Sequence, residues 1–247
     1  MIARVPSLLV VSDFDGTLAE FSTDAMNVPI NHEAVAALKC LAMLPDTRVA
    51  VLSGRDLAGL RRVSGLGDPL ILAGSHGAES TLEVAANSTL SDAQRAALNA
   101  ATKAFEQLIV DLPGAFVEHK PFNRVLHVIA CADRARADEV YARASALQIS
   151  GVSMKPGKFI VEASVVSMNK GVWISQAKAL LRPDAVVFIG DDTTDEDGFA
   201  VLDDADLGVK VGSGPTLATR RLENVPAVGE FLSQLVCERV KFLEARG

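Results

Sequence analysis

The chain has 247 residues, 49% of them hydrophobic, and a formal net charge of −7. This composition excludes a disordered chain, and the length allows one large domain or two smaller ones, each with a substantial core. The acidic balance argues against a general nucleic-acid or membrane surface. Because no apolar run could span a bilayer and the N-terminus lacks a signal-peptide pattern, we expect a soluble, cytoplasmic protein.

The first ninety residues alternate between apolar strands and amphipathic helices. Apolar runs at 8–11, 49–52 and 70–73 predict buried strands. Helices are predicted after Pro29, with Asn31 as the N-cap, and around residues 57–63. This alternation predicts a parallel sheet with right-handed crossovers.

The pattern changes near residue 87. Residues 91–110 predict one long helix, and residues 115–120 and 123–130 alternate as half-exposed antiparallel strands do. A second helix is expected at 135–147, followed by strands at 150–155 and 158–163 that a Pro156-Gly157 turn would join. The segment 87–167 therefore predicts an inserted αββαββ module.

The parallel-sheet pattern returns after residue 167. Asn169, Lys170 and Gly171 open a helix, strands are predicted at 186–189 and 207–211, and a helix at 226–244 closes the chain. The strand at 207–211 is expected to be the last. We predict an α/β fold whose Rossmann-like parallel-sheet core comprises residues 1–86 and 168–247, with residues 87–167 inserted as a separate domain.

The three cysteines are widely scattered and form no CxxC pair; they are Cys40, Cys131 and Cys237. Their odd number and the absence of a neighbouring histidine in metal-ligand register argue against a disulfide framework or a zinc site. We therefore expect three buried thiols.

Four polar clusters each follow a predicted parallel strand or open a helix. They are Asp13-Phe14-Asp15-Gly16-Thr17, Ser53-Gly54-Arg55, Lys170 and the acidic run at 190–197. Because the carboxyl ends of parallel strands line one edge of a sheet, we expect the clusters to meet in a single crevice. Taken singly, each has a simpler explanation as a turn, a helix cap or a solvated helix end. Their joint occurrence favours a catalytic site.

These clusters supply what phosphoryl transfer requires. Carboxylates from two strands can hold Mg²⁺, while a serine hydroxyl, backbone N–H groups and a lysine can bind phosphate oxygens. One aspartate can attack phosphorus as a covalent nucleophile. Its neighbour two residues later can protonate the leaving alcohol and then deprotonate water.

The clusters resemble the four motifs of haloacid dehalogenase-like phosphatases, and the αββαββ insert resembles the C2-type cap of that superfamily. The chain is more closely similar to trehalose-6-phosphate phosphatases, which carry SGR, GDDxTDED, NKG and GSHG patterns. Those patterns stand here at 53–55, 190–197, 169–171 and 74–77.

The resemblance implies a role for each motif residue. Asp13 would be the nucleophile and Asp15 the general acid and base. Mg²⁺ would be bound by Asp13, by the main-chain carbonyl of Asp15 and by Asp191, with Asp192 and Asp195 in support. Ser53 and Lys170 would hold the phosphate, with Gly54 and Arg55 close by.

The inserted module carries a second set of charged residues. In strand geometry Glu118 and Lys120 share a face, and so do Lys158 and Glu162, with Phe159, Val161 and Ala163 on the other face. Such a surface suits the binding of sugar hydroxyls, although a solvated sheet face shows the same pattern. The resemblance assigns sugar binding to the patterns ExK…H and GKxxxE, which match Glu118, Lys120, His127, Lys158 and Glu162.

Two positions in this module depart from the family pattern. The family usually continues His-Tyr-Arg, whereas His127 is followed here by Val128 and Ile129. Asn123 stands where a small hydroxyl residue is common. These departures affect the finer contacts to the sugar and leave the phosphatase motifs intact.

The residues and the resemblance together predict an enzyme, a Mg²⁺-dependent phosphatase that cleaves trehalose 6-phosphate to trehalose and phosphate through a phospho-aspartate. One alternative is a related phosphatase for sucrose 6-phosphate or for a glucosyl or mannosyl phosphoglycerate. Another is a non-catalytic domain that binds sugar phosphate without cleaving it. The expected partner is a small sugar phosphate, with no nucleic acid and no membrane, and we expect a monomer.

Overall fold

The computed structural model describes residues 2–22, 24, 26–83 and 90–246. The chain divides into two compact units, one formed by Met1–Asn87 with Met168–Gly247 and the other by Ser88–Ser167. The domain boundary predicted between residues 86 and 87 lies outside the described residues. In the part of the chain that is described, no helix combines the length and the apolar character needed to cross a membrane.

The first unit, called the core unit below, is a parallel sheet with helices on both sides. Its N-terminal part contains β1 (Leu8–Ser12), α1 (His32–Ala42), β2 (Thr47–Leu52), α2 (Leu57–Ser64), β3 (Ile71–Gly74) and β4 (Glu79–Ser80). The chain then passes through the second unit, whose elements are α3 (Asp92–Ile109), β5 (Phe116–His119), β6 (Asn123–His127), α4 (Arg134–Ser145), β7 (Ser153–Gly157) and β8 (Ile160–Ser164). The core unit resumes with α5 (Lys170–Leu181), β9 (Ala185–Gly190), α6 (Thr193–Phe199), β10 (Leu207–Val211), β11 (Arg220–Leu222) and α7 (Val225–Glu244).

Among the described residues, seven strands form the core sheet in the order β11-β10-β9-β1-β2-β3-β4. All neighbours pair in parallel except β3 and β4. The predicted α/β core with a parallel sheet is confirmed. The expectation that the strand at 207–211 is the last was wrong, because β11 follows it at the sheet edge. That three-residue strand contains two arginines, so it shows none of the apolar run that marks an interior strand.

Strand β1 lies at the centre of the sheet and is buried along its whole length. Alternate side chains enter two separate cores. Leu8 and Val10 pack in a cluster that includes Leu38 of α1 and Leu232 of α7. Leu9 and Val11 pack in the opposite cluster, which includes Trp173, Ile174 and Phe188. Each such side chain contributes roughly 1.5–3 kcal/mol when it is fully buried, so β1 is anchored from both faces.

The second unit is a four-stranded antiparallel sheet, in the order β5-β6-β8-β7, with α3 and α4 on one face. Leu126, Val161 and Ala163 point towards these helices and pack with Phe105 and Val140. Residues directly opposite one another on paired antiparallel strands share a face. The register therefore places Glu118, Val125, Glu162 and Lys155 in one row across the other face of the sheet.

The turn between β7 and β8 was predicted wrongly. Pro156 and Gly157 belong to β7, and the two-residue turn consists of Lys158 and Phe159, the latter with φ of +61°. Because β7 is an edge strand, a proline that lacks an N–H group is tolerated there. The strand-face arguments for Lys158 and Phe159 therefore fail, and Lys155 is the residue opposite Glu162.

Strand β6 is shorter than predicted. It ends at His127 instead of continuing to residue 130. Beyond the end of β6, the N–H of Val128 donates to the carbonyl of Phe159 in the β7–β8 turn.

The cysteine expectation was correct for one residue of three. Cys131 is buried in the core of the second unit, whereas Cys40 on α1 and Cys237 on α7 are exposed. Both helices are amphipathic, and each of these cysteines falls on the solvent side of its helix.

Candidate active site

Polar side chains in the core unit converge where parallel strands end. Asp13 follows β1, Asp191 follows β9, and Lys170 is the first residue of α5. These three come together with Asp195, which lies in α6. The structure thus brings residues of three of the four predicted polar clusters together at this edge of the sheet.

Lys170 is the cation at this centre. Its Nζ donates to Oδ1 of Asp13 and to Oδ1 of Asp195, both at 2.7 Å. The three residues are 2%, 5% and 0% exposed, respectively. Burial alone lowers the pKa of Lys170, but the charges of Asp13 and Asp195 outweigh it and raise that pKa above its usual value. Lys170 is therefore an ammonium ion held rigidly against two carboxylates.

The carboxylates outnumber the ammonium group. One oxygen from each of Asp13, Asp191 and Asp195 lies within 4.8 Å of the others. Burial raises the pKa of Asp13 well above its usual value, against the opposing charge of Lys170. Burial and then the charge of Asp195 raise the pKa of Asp191 to about 6. Three crowded carboxylate groups beside one ammonium group supply both the oxygen ligands and the negative charge that a divalent metal ion requires.

Both carboxylate oxygens of Asp195 accept hydrogen bonds from other residues of the cluster. Its Oδ1 accepts from Lys170, and its Oδ2 accepts from the N–H groups of Asp191 and Asp192 at 2.9 and 2.8 Å. Asp192 caps α6, where its Oδ1 accepts from the N–H of Thr193 at 2.6 Å. These contacts leave Asp13 and Asp191 as the carboxylates best placed to bind a cation.

Both main-chain polar groups of Asp191 are hydrogen-bonded. Its N–H donates to Asp195, and its carbonyl accepts a hydrogen bond from Nζ of Lys210, a buried residue of β10. Our sequence interpretation missed Lys210. The available signal was a lysine inside the otherwise apolar strand Leu-Gly-Val-Lys-Val, next to the strand end where polar chemistry gathers.

Gly16 allows the close approach of the two acidic segments. Its φ is +83°, and a Cβ at this position would lie 2.2 Å from Oδ2 of Asp191. The adjacent Thr17 donates its hydroxyl to Oδ1 of Asp191 at 3.2 Å. The Gly16-Thr17 turn thus allows the segment after β1 to contact the side chain of Asp191.

Asp15 lies in a different environment from Asp13. Its two carboxylate oxygens accept from Nε and Nη2 of Arg55 at 2.7 and 2.6 Å. Arg55 was expected beside the phosphate, and the structure adds this bidentate pairing. The N–H of Arg55 also donates to the hydroxyl of Ser53 at 3.1 Å, and Ser53 is almost fully buried. The Ser53-Gly54-Arg55 cluster is therefore linked to Asp15 through Arg55.

The predicted sugar-binding residues lie in the second unit. Glu118, His127 and Glu162 share the sheet face opposite the helices. Nε2 of His127 lies 2.9 Å from Oε2 of Glu118, and the His127 ring stacks on Phe116 with centroids 4.5 Å apart. Lys120 follows β5, and its N–H donates to the carbonyl of Asn123. Lys158 lies in the β7–β8 turn.

The chain shares its fold, with a central parallel sheet, with the solved structure of a haloacid dehalogenase-like hydrolase from Bacteroides thetaiotaomicron, with a TM-score of 0.63 and 14% identity over 93% of this chain and 99% of that one. Comparison with known proteins then narrows the class. The family model of trehalose-phosphatases matches residues 11–225. The chain belongs to the trehalose-phosphatase family.

Individual relatives and solved structures are similar to this chain over most of its length. The trehalose-6-phosphate phosphatase of Escherichia coli K12 is 30% identical over 90% of this chain and 84% of that protein. An uncharacterized glycosyl hydrolase of Mycobacterium tuberculosis H37Rv is 34% identical over 96% of this chain, which spans only 19% of that protein. The solved C-terminal domain of C. albicans trehalose-6-phosphate phosphatase shares the fold, with a TM-score of 0.73 and 21% identity over 96% of this chain and 94% of that one.

Proposed function

We propose that this chain is a Mg²⁺-dependent phosphatase that hydrolyses trehalose 6-phosphate to trehalose and phosphate. The observation that carries the proposal is the buried Lys170, which bridges Asp13 and Asp195 beside Asp191. Family membership and the similarity to the trehalose-6-phosphate phosphatase of E. coli support the choice of substrate.

Mg²⁺ would be held by Asp13, Asp191 and the main-chain carbonyl of Asp15. When bound, such an ion neutralises charge on the phosphate and on the crowded carboxylates. Oxygen ligands and excess negative charge suit Mg²⁺, which binds through carboxylates and otherwise retains water. Lys170 and the hydroxyl of Ser53 would bind the remaining phosphate oxygens.

The first chemical step is assigned to Asp13. A carboxylate oxygen of Asp13 forms a bond to phosphorus while the bond from phosphorus to the sugar oxygen breaks. Asp15 gives its proton to the departing sugar oxygen, which leaves as the alcohol. The product of this step is a phospho-aspartate at Asp13 together with free trehalose.

The second step reverses the role of Asp15. As a carboxylate it removes a proton from water, whose oxygen attacks phosphorus and displaces the Asp13 carboxylate. Inorganic phosphate leaves and Asp13 is regenerated. In both steps Lys170 holds Asp13 by its Oδ1, which orients the attacking group.

Arg55 imposes a condition on this sequence. The guanidinium of Arg55 donates one hydrogen bond to each carboxyl oxygen of Asp15, so both oxygens are already engaged. Asp15 must leave this pairing before it carries a proton to the sugar oxygen. The pairing therefore describes a resting arrangement of the acid and base.

Sugar recognition is proposed for the charged sheet face of the second unit. Carboxylates accept and ammonium groups donate hydrogen bonds, so together they match the mixed donor and acceptor character of sugar hydroxyls. Glu118, Lys120, His127, Lys158 and Glu162 form the proposed binding set. Lys155 joins it because the register places it opposite Glu162.

A panel of sugar phosphates tests the function directly. Phosphate release would be measured from trehalose 6-phosphate, sucrose 6-phosphate, a glucosyl phosphoglycerate and p-nitrophenyl phosphate, each with Mg²⁺ and with EDTA. We expect the highest kcat/KM for trehalose 6-phosphate and no turnover in EDTA. Preference for another sugar phosphate would overturn the substrate, and binding without phosphate release would overturn the catalytic role.

A further inference from the structure

The loop that follows β3 holds two adjacent residues in an unfavourable backbone conformation. Ser75 and His76 have φ values of +50° and +55°, in the left-handed region that side chains disfavour. Such a conformation costs roughly 1–2 kcal/mol per residue. Glycine or asparagine would occupy position 76 at lower cost, so the histidine stands there against the local conformational preference.

Backbone contacts tie this loop to the Ser53–Arg55 segment. The N–H of His76 donates to the carbonyl of Ser53 at 2.9 Å, and the N–H of Ser75 donates to the carbonyl of Arg55 at 2.6 Å. The two bonds flank Gly54. The backbone conformation of the Ser53–Arg55 segment is therefore coupled to that of the loop after β3.

Glu79 holds the loop from its other side. Its Oε2 accepts from the hydroxyl of Ser75 at 2.7 Å and from the N–H of Leu57, at the start of α2, at 3.2 Å. These bonds stabilise the unfavourable backbone through neighbouring groups. None of them involves the imidazole, so they do not explain why position 76 is a histidine.

The imidazole of His76 packs on Gly54. A Cβ at position 54 would lie 2.8 Å from Cε1 and 3.0 Å from Nε2 of the ring. The ring therefore fills the space that a side chain at position 54 would use. Gly54 lies between Ser53, which is proposed to bind phosphate, and Arg55, which pairs with Asp15.

We propose that His76 is a positioning residue whose imidazole holds the Ser53–Arg55 segment in the geometry that binds the phosphoryl group. This inference rests on the proposed phosphatase function and extends it to a residue outside the acidic cluster. Its consequence is specific: loss of the ring weakens phosphate binding for every phosphate ester, whatever the alcohol, because Ser53 in this segment is proposed to bind the phosphoryl group that all of them share.

The main experiment substitutes His76→Asn. Asparagine tolerates the left-handed conformation, so the thermal midpoint Tm should stay unchanged or rise. We expect kcat/KM to fall about 10- to 100-fold, on trehalose 6-phosphate and p-nitrophenyl phosphate alike, as displaced positioning groups do. The inhibition constant of inorganic phosphate should rise in parallel.

Arg182→Asn is the matched control. Arg182 also has a left-handed conformation, with φ of +50°, but it caps the C-terminus of α5. The substitution relieves the same kind of backbone cost, so Tm should again hold or rise while kcat/KM stays at the wild-type value.

A double-mutant cycle tests the contact itself. Gly54→Ala should displace the imidazole, whereas the same change in a His76→Gly background meets no ring. If His76 acts through Gly54, the two effects on phosphate affinity will be strongly non-additive. Additive effects would overturn the proposed route.

Other outcomes also decide the inference. Wild-type kcat/KM in the His76→Asn variant would overturn it, and so would a loss of activity that tracks a lower Tm in both His76 variants. A wild-type protein that hydrolyses no phosphate ester would instead refute the proposed function. In that case calorimetric binding of inorganic phosphate to the same variants still tests the role of His76.

Discussion

The acidic cluster of the core unit and the charged sheet face of the second unit both carry residues assigned to ligand binding, yet they are built differently. In the core cluster, Lys170, Asp13 and Asp195 are buried and each has charged partners at hydrogen-bond distance. On the sheet face, the side chains of Glu118 and His127 are 42% and 22% exposed. One region is a buried network, and the other is a partly exposed surface.

This difference follows from the environment of the charges. A buried charge must be paired, and removal of one partner costs about 3–5 kcal/mol because the other is left uncompensated. An exposed charge contributes only about 0–1 kcal/mol to folding. The core cluster is therefore constrained by stability as well as by chemistry, whereas residues on the sheet face can be selected for a ligand alone. Substitutions in the two regions should differ accordingly.

The largest effect is expected at the nucleophile. Asp13→Asn should lower the rate of phosphate release by about a thousandfold or more, since the amide cannot form the phospho-enzyme. The variant should retain its circular dichroism spectrum. Asp92→Asn, an exposed aspartate at the start of α3, serves as the control with wild-type turnover. An unchanged kcat in the Asp13 variant would refute the nucleophile assignment.

A large effect on metal binding is expected at Asp191. At a Mg²⁺ concentration 100 times Kd, the wild-type protein should gain about 2.7 kcal/mol of unfolding free energy. Asp191→Asn should weaken Mg²⁺ binding at least about tenfold and so shrink the rise in Tm on Mg²⁺ addition. Asp203→Asn removes an exposed carboxylate that pairs with Lys178 and should respond to Mg²⁺ as the wild type does. An equal rise in Tm for the Asp191 and Asp203 variants would exclude Asp191 as a ligand.

A selective effect is expected at Glu162. Loss of a charged hydrogen bond of about 1.5–3 kcal/mol should raise KM for trehalose 6-phosphate roughly tenfold or more. Hydrolysis of p-nitrophenyl phosphate should not change, because that ester lacks the sugar. Glu106→Ala, on the exposed surface of α3, is the matched control. If Glu162→Ala impaired both substrates equally, the residue would be structural.

The smallest effect is expected at Lys155, the exposed residue opposite Glu162. Lys155→Ala should raise KM for trehalose 6-phosphate about threefold, since exposed charges interact weakly, and added salt should reduce the difference. Lys103→Ala removes an exposed lysine of α3 and should have no effect. An unchanged KM in both Lys155→Ala and Lys103→Ala, together with a raised KM in Lys158→Ala, would show that Lys158 in the turn binds the sugar and that Lys155 in β7 does not.

Much of the core unit could be predicted from the sequence. Apolar runs such as residues 8–11 and 186–189 mark interior strands, because burial on both faces leaves no room for polar residues. Asn31 was identified correctly as an N-cap, and its side chain accepts from the N–H of Ala34. Motif order also predicted Asp13, Lys170 and Asp191 at one edge, where Lys170 contacts Asp13 and oxygens of Asp13 and Asp191 lie within 4.8 Å of each other.

The errors share a physical origin in long-range pairing. The β7–β8 turn was misplaced because Pro and Gly favour turns locally, whereas pairing with β8 places Pro156 and Gly157 inside an edge strand. Lys210 was missed because its partner, the carbonyl of Asp191, lies in the segment that follows a neighbouring strand, β9. The imidazole of His76 packs on a residue that precedes it by more than twenty positions.

The amino-acid sequence by itself determined most strands and helices of the core unit, though not the short edge strands β4 and β11, because burial and chain period act on neighbouring residues. It also supplied the acidic, hydroxyl and ammonium groups of the site in the order that a parallel sheet requires. Only the tertiary structure decided which of these groups touch: the bridge from Lys170 to two carboxylates, the pairing of Asp15 with Arg55, and the row that sets Lys155 opposite Glu162. Those contacts depend on strand register and on the desolvation of buried charges, and both arise only once distant parts of the chain have packed together.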